Sequence, residues 1–558
     1  MPLISGAKGV VETLKACKVE LVFGMTGHTV MEVADELAKD ATIRSVYPRS
    51  ELTGTFMAYG YNRVKGGAKS VCIWHVAGSL FAAPAVMTAK IDSTPMVVVC
   101  GNVSSDCKGK EAFQETPIFE AYKPITKWAF RVERTDQLPW ALQLALHISS
   151  SDRPGPVVLD VPFDKFVEKA EMRIPEGPIE WAPPAGDPQA IKKACDLLLK
   201  AKKPVLFAGG GVAIADAGSE AQRLAELLCM PIVTGRSSSK GVVSEEHPLC
   251  LGILGSFGWK IANEFLSEAD CWCAVGTTFS QIAMQDWSIK PPETLIHIDI
   301  DPSEFGRIYQ PTVAILGDAK KVLQQMIEYL EQKVEKKDFS EHPRYAEIKE
   351  RKDKWLKELD SKCTPDTKPI NPYRLIKEIN LALPPDGIVV GDAGNNGEFA
   401  VHVYKALKPR TFLLSQKYSA VGTAFPAAIG AKLASPNVPV VAVEGDGGFH
   451  YNCTELATAV MEKIPVIVVI MNDGHYNSNR QIANRLFEGR QVWTKLNNPD
   501  WAALAKSFGA EGERVDDANS FREALKRALK SDVPYVIDAI IDRDVPAPVT
   551  GKLWKIRW

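Results

Sequence analysis

The sequence predicts an α/β protein of three doubly wound domains with parallel sheets, in which two related outer domains flank a Rossmann-like middle one. Three observations carry this reading. The chain has 558 residues, and a single hydrophobic core rarely grows past about 250–300 residues. Continuous apolar runs of strand length alternate with amphipathic stretches of helix length, the pattern of parallel strands covered on both faces. One segment also echoes across the chain: Asp92-Ser93-Thr94-Pro95-Met96-Val97-Val98-Val99 and Glu462-Lys463-Ile464-Pro465-Val466-Ile467-Val468-Val469 each read as a helix end, a proline and a buried strand.

The elements follow in order. Residues 4–15 read as the first helix. Buried strands are expected at 21–24, 70–74, 96–100 and 157–161, then at 205–208, 271–275 and 295–300, and last at 387–390, 438–443, 466–471 and 535–541. A helix over 188–200 has a clear start, with Asp187 as N-cap and Pro188 at the first helical position. Two segments read as boundaries. Residues 174–187 hold Pro175, Pro178, Pro183 and Pro184 without periodicity, and 333–368 is charge-dense and helical. These cuts give an N-terminal unit at 1–172, a middle unit at 186–345, a C-terminal unit at 366–545 and a tail at 546–558. The tail carries Lys552, Lys555 and Arg557 with Trp554 and Trp558, and reads as an irregular arm packing on its own chain or a partner.

Composition narrows the function classes. Lys plus Arg is 66 against Asp plus Glu at 68, a formal charge of −2, so the basic excess of a nucleic-acid binder is missing. The longest apolar runs fall far short of the ~20 residues of a membrane helix, and the first residues lack the ordered regions of a signal peptide. The 11 cysteines are odd in number and scattered, which reads as buried reduced thiols of a cytoplasmic protein. No nucleic-acid or membrane partner is expected.

The most informative stretch runs from 438 to 481. A strand leads into Glu444-Gly445-Asp446-Gly447-Gly448-Phe449, a helix from about Thr454 follows, and a second strand ends at Asn472-Asp473-Gly474. Glycines let backbone N–H groups approach a ligand at a strand end, and a helix N-terminus favours an anion there. Asp446 and Asp473 stand 27 residues apart at two strand ends. Two oxygen ligands beside such a loop suit a hard divalent cation bridging to a diphosphate.

This pattern resembles the thiamine-diphosphate-dependent enzymes of the acetolactate synthase and pyruvate oxidase type. The resemblance implies Mg2+ held by Asp446, Asp473 and the main-chain carbonyl of His475, with Gly445, Gly447, Gly448 and Tyr476 around the coenzyme. The family more often has Asn where Asp473 stands; Asp473 keeps the oxygen and adds charge. Tyr47-Pro48-Arg49-Ser50-Glu51 is similar to the family segment with the catalytic glutamate, which assigns to Glu51 the proton transfer at the aminopyrimidine that activates the coenzyme. Ser419-Ala420-Val421-Gly422 resembles the segment that bends the coenzyme, with Val421 as the apolar wedge and Gly422 against the pyrimidine. Gly394, Asn395 and Asn396 match the loop over the diphosphate. Because Glu51 and Asp446 lie in different outer units, the family pattern implies a site between two chains and at least a homodimer, tetramers being common.

Phe113-Gln114-Glu115-Thr116-Pro117 resembles acetolactate synthase, and places Gln114 by the thiazolium. Gly27-His28 and Trp74-His75-Val76-Ala77-Gly78 depart from it. His28, His75 and Gln114 together resemble the ring-opening cyclohexane-1,2-dione hydrolase branch most, with Met31 as a departure. An imidazole there can move protons near neutral pH. In the middle unit, Gly209-Gly210-Gly211, Asp299-Ile300-Asp301 and Gly317-Asp318-Ala319 resemble a domain that holds FAD in some members and ADP or nothing in others. The expected function is therefore thiamine-diphosphate- and Mg2+-dependent cleavage or formation of a C–C bond next to a carbonyl. Within it, hydrolysis of a cyclic 1,2-diketone is the first reading and an acetolactate synthase-like carboligase or 2-oxo acid decarboxylase the alternative. A non-catalytic coenzyme-binding homologue is the alternative from another class.

Overall fold

The computed structural model describes residues 1–236, 239–335, 337–415 and 417–550. The charged and aromatic tail residues from Lys552 onward lie outside them. Three six-stranded sheets organise the chain, and every pairing inside them is parallel. The N-terminal sheet runs in space Arg44–Val46, Leu21–Gly24, Ser70–Trp74, Met96–Asn102, Pro156–Pro162, Trp128–Arg131. The C-terminal sheet runs Phe412–Leu414, Ile388–Gly391, Val440–Gly445, Ile467–Asn472, Tyr535–Ile540, Glu511–Val515. Counted by order of appearance within its own sheet, each is 2-1-3-4-6-5, so the outer units share one topology. The middle sheet is Cys250–Ile253, Ile232–Thr234, Pro204–Ala208, Cys271–Val275, Thr294–Asp299, Val313–Leu316, the 3-2-1-4-5-6 order of a Rossmann fold.

The local chemistry explains these elements. Met96–Asn102 is buried at every position, as a central parallel strand must be. Asp187 accepts hydrogen bonds from Gln189 N and Ala190 N and starts helix Pro188–Lys200. The internal echo has a physical basis: Ser93 and Lys463 both adopt left-handed backbone, at φ 54° each, and both turns deliver a proline into a central strand. All eleven cysteines are free thiols. No helix among the described residues is long and apolar enough to cross a membrane.

Several boundaries differ from expectation. The first helix is Gly6–Ala16, because Leu3–Ser5 is drawn into a short antiparallel ladder with Lys169–Glu171, a partner too distant in sequence to foresee. The strand expected from 438 begins at Val440, since Pro439 has no N–H to pair. The helix expected from Thr454 is divided: Asp446–Phe449 turns directly off the strand, Asn452 interrupts, and Leu456–Met461 resumes.

One apolar core joins the two outer sheets through helices Glu51–Lys65 and Ala424–Ala434, each following the edge strand of its own sheet. A second spans the middle sheet and the other face of the C-terminal sheet, bridged by Ile348, Trp355 and Leu359 of helix Pro343–Lys362. His402 is buried in that bridge, its Nδ1 2.9 Å from the Phe257 carbonyl oxygen. Desolvation holds its pKa down at about 4. The unfolded chain therefore binds the proton more tightly, and stability is lost as pH falls from about 6.5 through about 4. Between about pH 7 and pH 4, wild type should lose roughly 3 kcal/mol more than His402→Gln in parallel denaturant titrations; equal losses would remove His402 as an acid trigger.

Candidate active site

Two clusters hold the residues singled out by sequence. The first lies on the N-terminal unit. Ser50 caps helix Glu51–Lys65 by accepting from Leu52 N at 3.2 Å, which puts Glu51 at the first helical position. Glu51 is buried at 9% exposure, and its carboxylate packs so tightly on Gly78 that any Cβ at Gly78 would overlap it. Three residues before Gly78, the His75 ring sits on Gly27, where a Cβ would lie 2.7 Å from His75 Nδ1. His75 Nε2 is 3.1 Å from Gln114 Oε1 and Nδ1 is 2.9 Å from Thr29 Oγ1. The His28 ring meets His75 edge-on at 4.8 Å and stacks on Phe113 at 6.3 Å. Gln114 reaches His75 from left-handed backbone, φ 66°, a conformation that costs a non-glycine residue about 1 kcal/mol or more. Burial, then the neighbouring His28, lower the His75 pKa, while Gln114 opposes the shift.

The second cluster lies at the carboxyl ends of the C-terminal strands, where ligands bind in open α/β sheets. Asp446 follows strand Val440–Gly445 and accepts from Gly474 N at 2.8 Å and Asn498 Nδ2 at 2.6 Å. Asp473 follows strand Ile467–Asn472, and its Oδ1 accepts from His475 N at 3.0 Å. Desolvation, then the adjacent Asp446 carboxylate, push Asp473 up to about 7. Burial likewise raises Asp446. A buried and a half-buried carboxylate, both shifted toward the protonated form, mark a place lacking positive charge, which fits a divalent cation. Gly394, at φ 103°, leads into helix Asn395–Val403, and Asn395 Nδ2 is a buried donor with no acceptor, which fits an anionic group at that helix start. Asn396 Nδ2 donates to the Val443 carbonyl and ties this loop to the strand before Asp446. Tyr476 lies across Gly447, where a Cβ would sit 2.7 Å from its Cδ1. The residues present therefore suit a diphosphate bridged by a cation. The described residues contain no cluster of three or more His, Cys, Asp or Glu side chains around one point, so such a cation would draw on main-chain and ligand oxygens as well.

Val421 and Gly422 stand just ahead of helix Ala424–Ala434, Val421 being 40% exposed and Gly422 left-handed at φ 79°. Two buried acids that sequence reading missed hold this turn. Asp392 accepts from Gly422 N at 2.9 Å and Thr423 N at 2.8 Å. Glu444 accepts from Phe425 N at 2.7 Å and from Asn452 Nδ2 at 2.8 Å, and Asn452 also donates to the Gly422 carbonyl. Burial, then the nearby Asp392, push the Glu444 carboxyl well above the usual carboxylate range. A second missed chain runs from Asp446 through Asn498 and Asn472 to buried Asp538, with 2.9 Å and 2.8 Å between the last pairs. Thr29 was missed as well. Among the described residues, no hydrogen bond or ring contact joins Glu51, His75 or Gln114 to Asp446 or Asp473 within one chain.

A cavity of about 1160 Å³ lies between the middle unit and the N-terminal unit. The three expected segments line it together: Gly209–Gly211, Asp299–Asp301 and Gly317–Ala319, joined by Arg236 and Arg153.

Three domains with this topology, a buried acid at a helix start and paired aspartates at strand ends define an α/β enzyme that binds a diphosphate coenzyme. Family profiles agree along the chain: the N-terminal thiamine pyrophosphate binding domain matches residues 4–121, the central domain 191–326 and the C-terminal thiamine pyrophosphate binding domain 392–539. The chain belongs to the thiamine pyrophosphate enzyme family and is a thiamine-diphosphate-dependent enzyme. It is 36% identical over 97% of its length, and 92% of the relative's, to a probable acetolactate synthase large subunit of Methanococcus aeolicus. It is 34% identical to the acetolactate synthase large subunit of Corynebacterium glutamicum, over 97% of this chain and 87% of that one. Against the acetolactate synthase isozyme 3 large subunit of Escherichia coli the identity is 32%, over 95% of this chain and 93% of that one.

Proposed function

We infer that this enzyme is a Mg2+-dependent carboligase of the acetolactate synthase kind, acting on a 2-oxo acid such as pyruvate. This ordering reverses the one the sequence motifs suggested, because the relatives that match end to end are acetolactate synthase large subunits. The observation that carries the reading is the pairing of half-sites: buried Glu51 at the start of one helix, and Asp446 with Asp473 at the strand ends of a sheet of the same topology. When bound, the coenzyme supplies a carbon nucleophile that attacks a carbonyl. Glu51 would hold the proton at the coenzyme's pyrimidine, Val421 and Gly422 would pack against the coenzyme, and Gly394, Asn395, Asn396 and Gly445 to Gly448 would receive the diphosphate. Asp446, Asp473 and the His475 carbonyl hold the cation. Gln114 and the imidazoles of His28 and His75 orient and protonate the substrate oxygen.

Each chain leaves apolar groups exposed around its half-sites, among them Phe113 at 80%, Tyr451 at 60% and Trp493 at 93%. Such a rim favours a homodimer, or a dimer of dimers, in which Glu51 of one chain faces Asp446 of the other. The middle cavity is large enough for a dinucleotide, FAD being the first candidate and ADP the second.

The His28–His75–Gln114 cluster favours a second reading, hydrolytic opening of a cyclic 1,2-diketone, because two imidazoles beside one carbonyl suit attack by water. Turnover of pyruvate and of cyclohexane-1,2-dione by the Mg2+- and thiamine-diphosphate-loaded enzyme separates the two. Acetolactate from pyruvate is the expected product. Inert pyruvate with an opened ring replaces the first reading by the second, and a flavin absorbance band in the same preparation decides for FAD.

A further inference from the structure

Thr29 adjoins exposed His28 but is itself fully buried. Its hydroxyl oxygen has three neighbours: His75 Nδ1 at 2.9 Å, the Gly101 carbonyl oxygen at 3.2 Å and Val76 N at 3.2 Å. A hydroxyl has one proton and two lone pairs. Val76 N–H only donates, and the Gly101 carbonyl only accepts. With the Thr29 proton given to Gly101, the remaining lone pair faces Nδ1, which must then carry hydrogen. Donation to Nδ1 instead would give up the Gly101 bond.

The consequence lies at the other ring nitrogen. With hydrogen on Nδ1, the lone pair is on Nε2, beside the Gln114 amide. The Gln114 carbonyl accepts from Nε2–H of the imidazolium and, having only lone pairs to turn toward the neutral ring, yields Nε2 to the substrate oxygen. The ring packs directly on Gly27, where a Cβ would stand 2.3 Å from His75 Cγ. We propose that Thr29 is a positioning residue that fixes His75 as the Nδ1–H tautomer, so that Nε2 is the atom that takes a proton from the substrate-derived hydroxyl and returns it. The proton moves between that oxygen and Nε2 with no net change over a cycle. This inference rests on the reading of His75 as a catalytic residue.

The titratable groups facing the ring are His28 across it and, beyond Gly78, Glu51. Thr29→Val removes the hydroxyl at nearly constant volume. The readout is the rate of His75 carbethoxylation by diethyl pyrocarbonate, resolved by peptide mass spectrometry on the holoenzyme from about pH 5 to pH 8. The imidazolium loses its acceptor at Nδ1 in Thr29→Val, so the midpoint should fall by about one unit. With pyruvate or cyclohexane-1,2-dione, kcat should fall roughly ten- to hundredfold with KM within about threefold. Thr29→Ser should recover most of both losses. A wild-type midpoint and kcat in Thr29→Val overturn the proposal. His75→Ala separates the two levels. If it turns over both substrates normally, the catalytic reading of His75 fails; if it is inactive while Thr29→Val is normal, only the positioning role fails. Should Thr29→Val not bind coenzyme, judged by tryptophan fluorescence, Thr29→Ala against Thr29→Ser makes the same comparison.

Discussion

Glu51→Gln should lower coenzyme-dependent kcat by about a thousandfold or more while leaving the fold and coenzyme binding in place. The side chain is buried at a helix start, in a space closed by Gly78. Glutamine fills the same volume but cannot exchange a proton at neutral pH, so the loss falls on proton transfer and not on packing. Slowed deuterium exchange at the coenzyme's thiazolium C2, with normal quenching of tryptophan fluorescence on coenzyme binding, would check it. Turnover near wild type would remove Glu51 from the chemistry. The same variant tests the shared site. Asp446→Ala should be inactive for a different reason, loss of the cation. If sites form between chains, reassorting the two inactive proteins gives mixed dimers with one intact site in two, and about a quarter of wild-type activity overall. No recovery after demonstrated subunit exchange would place Glu51 and Asp446 in one chain's site.

What the sequence made legible depended on how local the cause was. Met96–Asn102 and Cys271–Val275 were readable because a strand buried on both faces must be apolar at every position. Asp446 and Asp473 were readable because glycines and strand ends surround them within a few residues. Edge strands such as Glu511–Val515, buried only at Gly512 and Val515 and holding three charged residues, carry no such run and were missed. The Asn472–Asn498–Asp446 chain was hidden for another reason: its members lie 26 and 52 residues apart, and asparagine has no characteristic spacing that signals such a contact. Thr29 and Glu444 are the sharper cases. Each sits beside a residue that sequence reading singled out, His28 and Asp446, yet its role comes from which backbone groups surround it once buried. Buried polar groups require partners, but only the fold says which.

The largest structural effect is expected at the crossing of helices Glu51–Lys65 and Ala424–Ala434, where each helix places a glycine against the other's backbone. A Cβ at Gly430 would stand 2.7 Å from the Met57 carbonyl carbon and 2.9 Å from Tyr61 N; one at Gly60 would stand 2.7 Å from the Ala427 carbonyl carbon. These are main-chain atoms within helices, so no side chain can swing aside to relieve the overlap, and the axes must separate. Separation opens the shared core around Phe425, Tyr59 and Met57, all almost fully buried, and overpacking of this kind costs about 3 kcal/mol or more. The two helices also carry the two half-sites, Glu51 at the start of one and Gly422 just ahead of the other. Gly430→Ala should therefore lower the thermal midpoint and raise the thiamine diphosphate concentration for half-saturation about tenfold or more, although Gly430 touches no part of either cluster. Gly177→Ala, where nothing lies within 4 Å of the added methyl, is the control that should change neither. If Gly430→Ala binds coenzyme normally despite a lowered midpoint, the crossing stabilises the fold without setting the geometry of the half-sites.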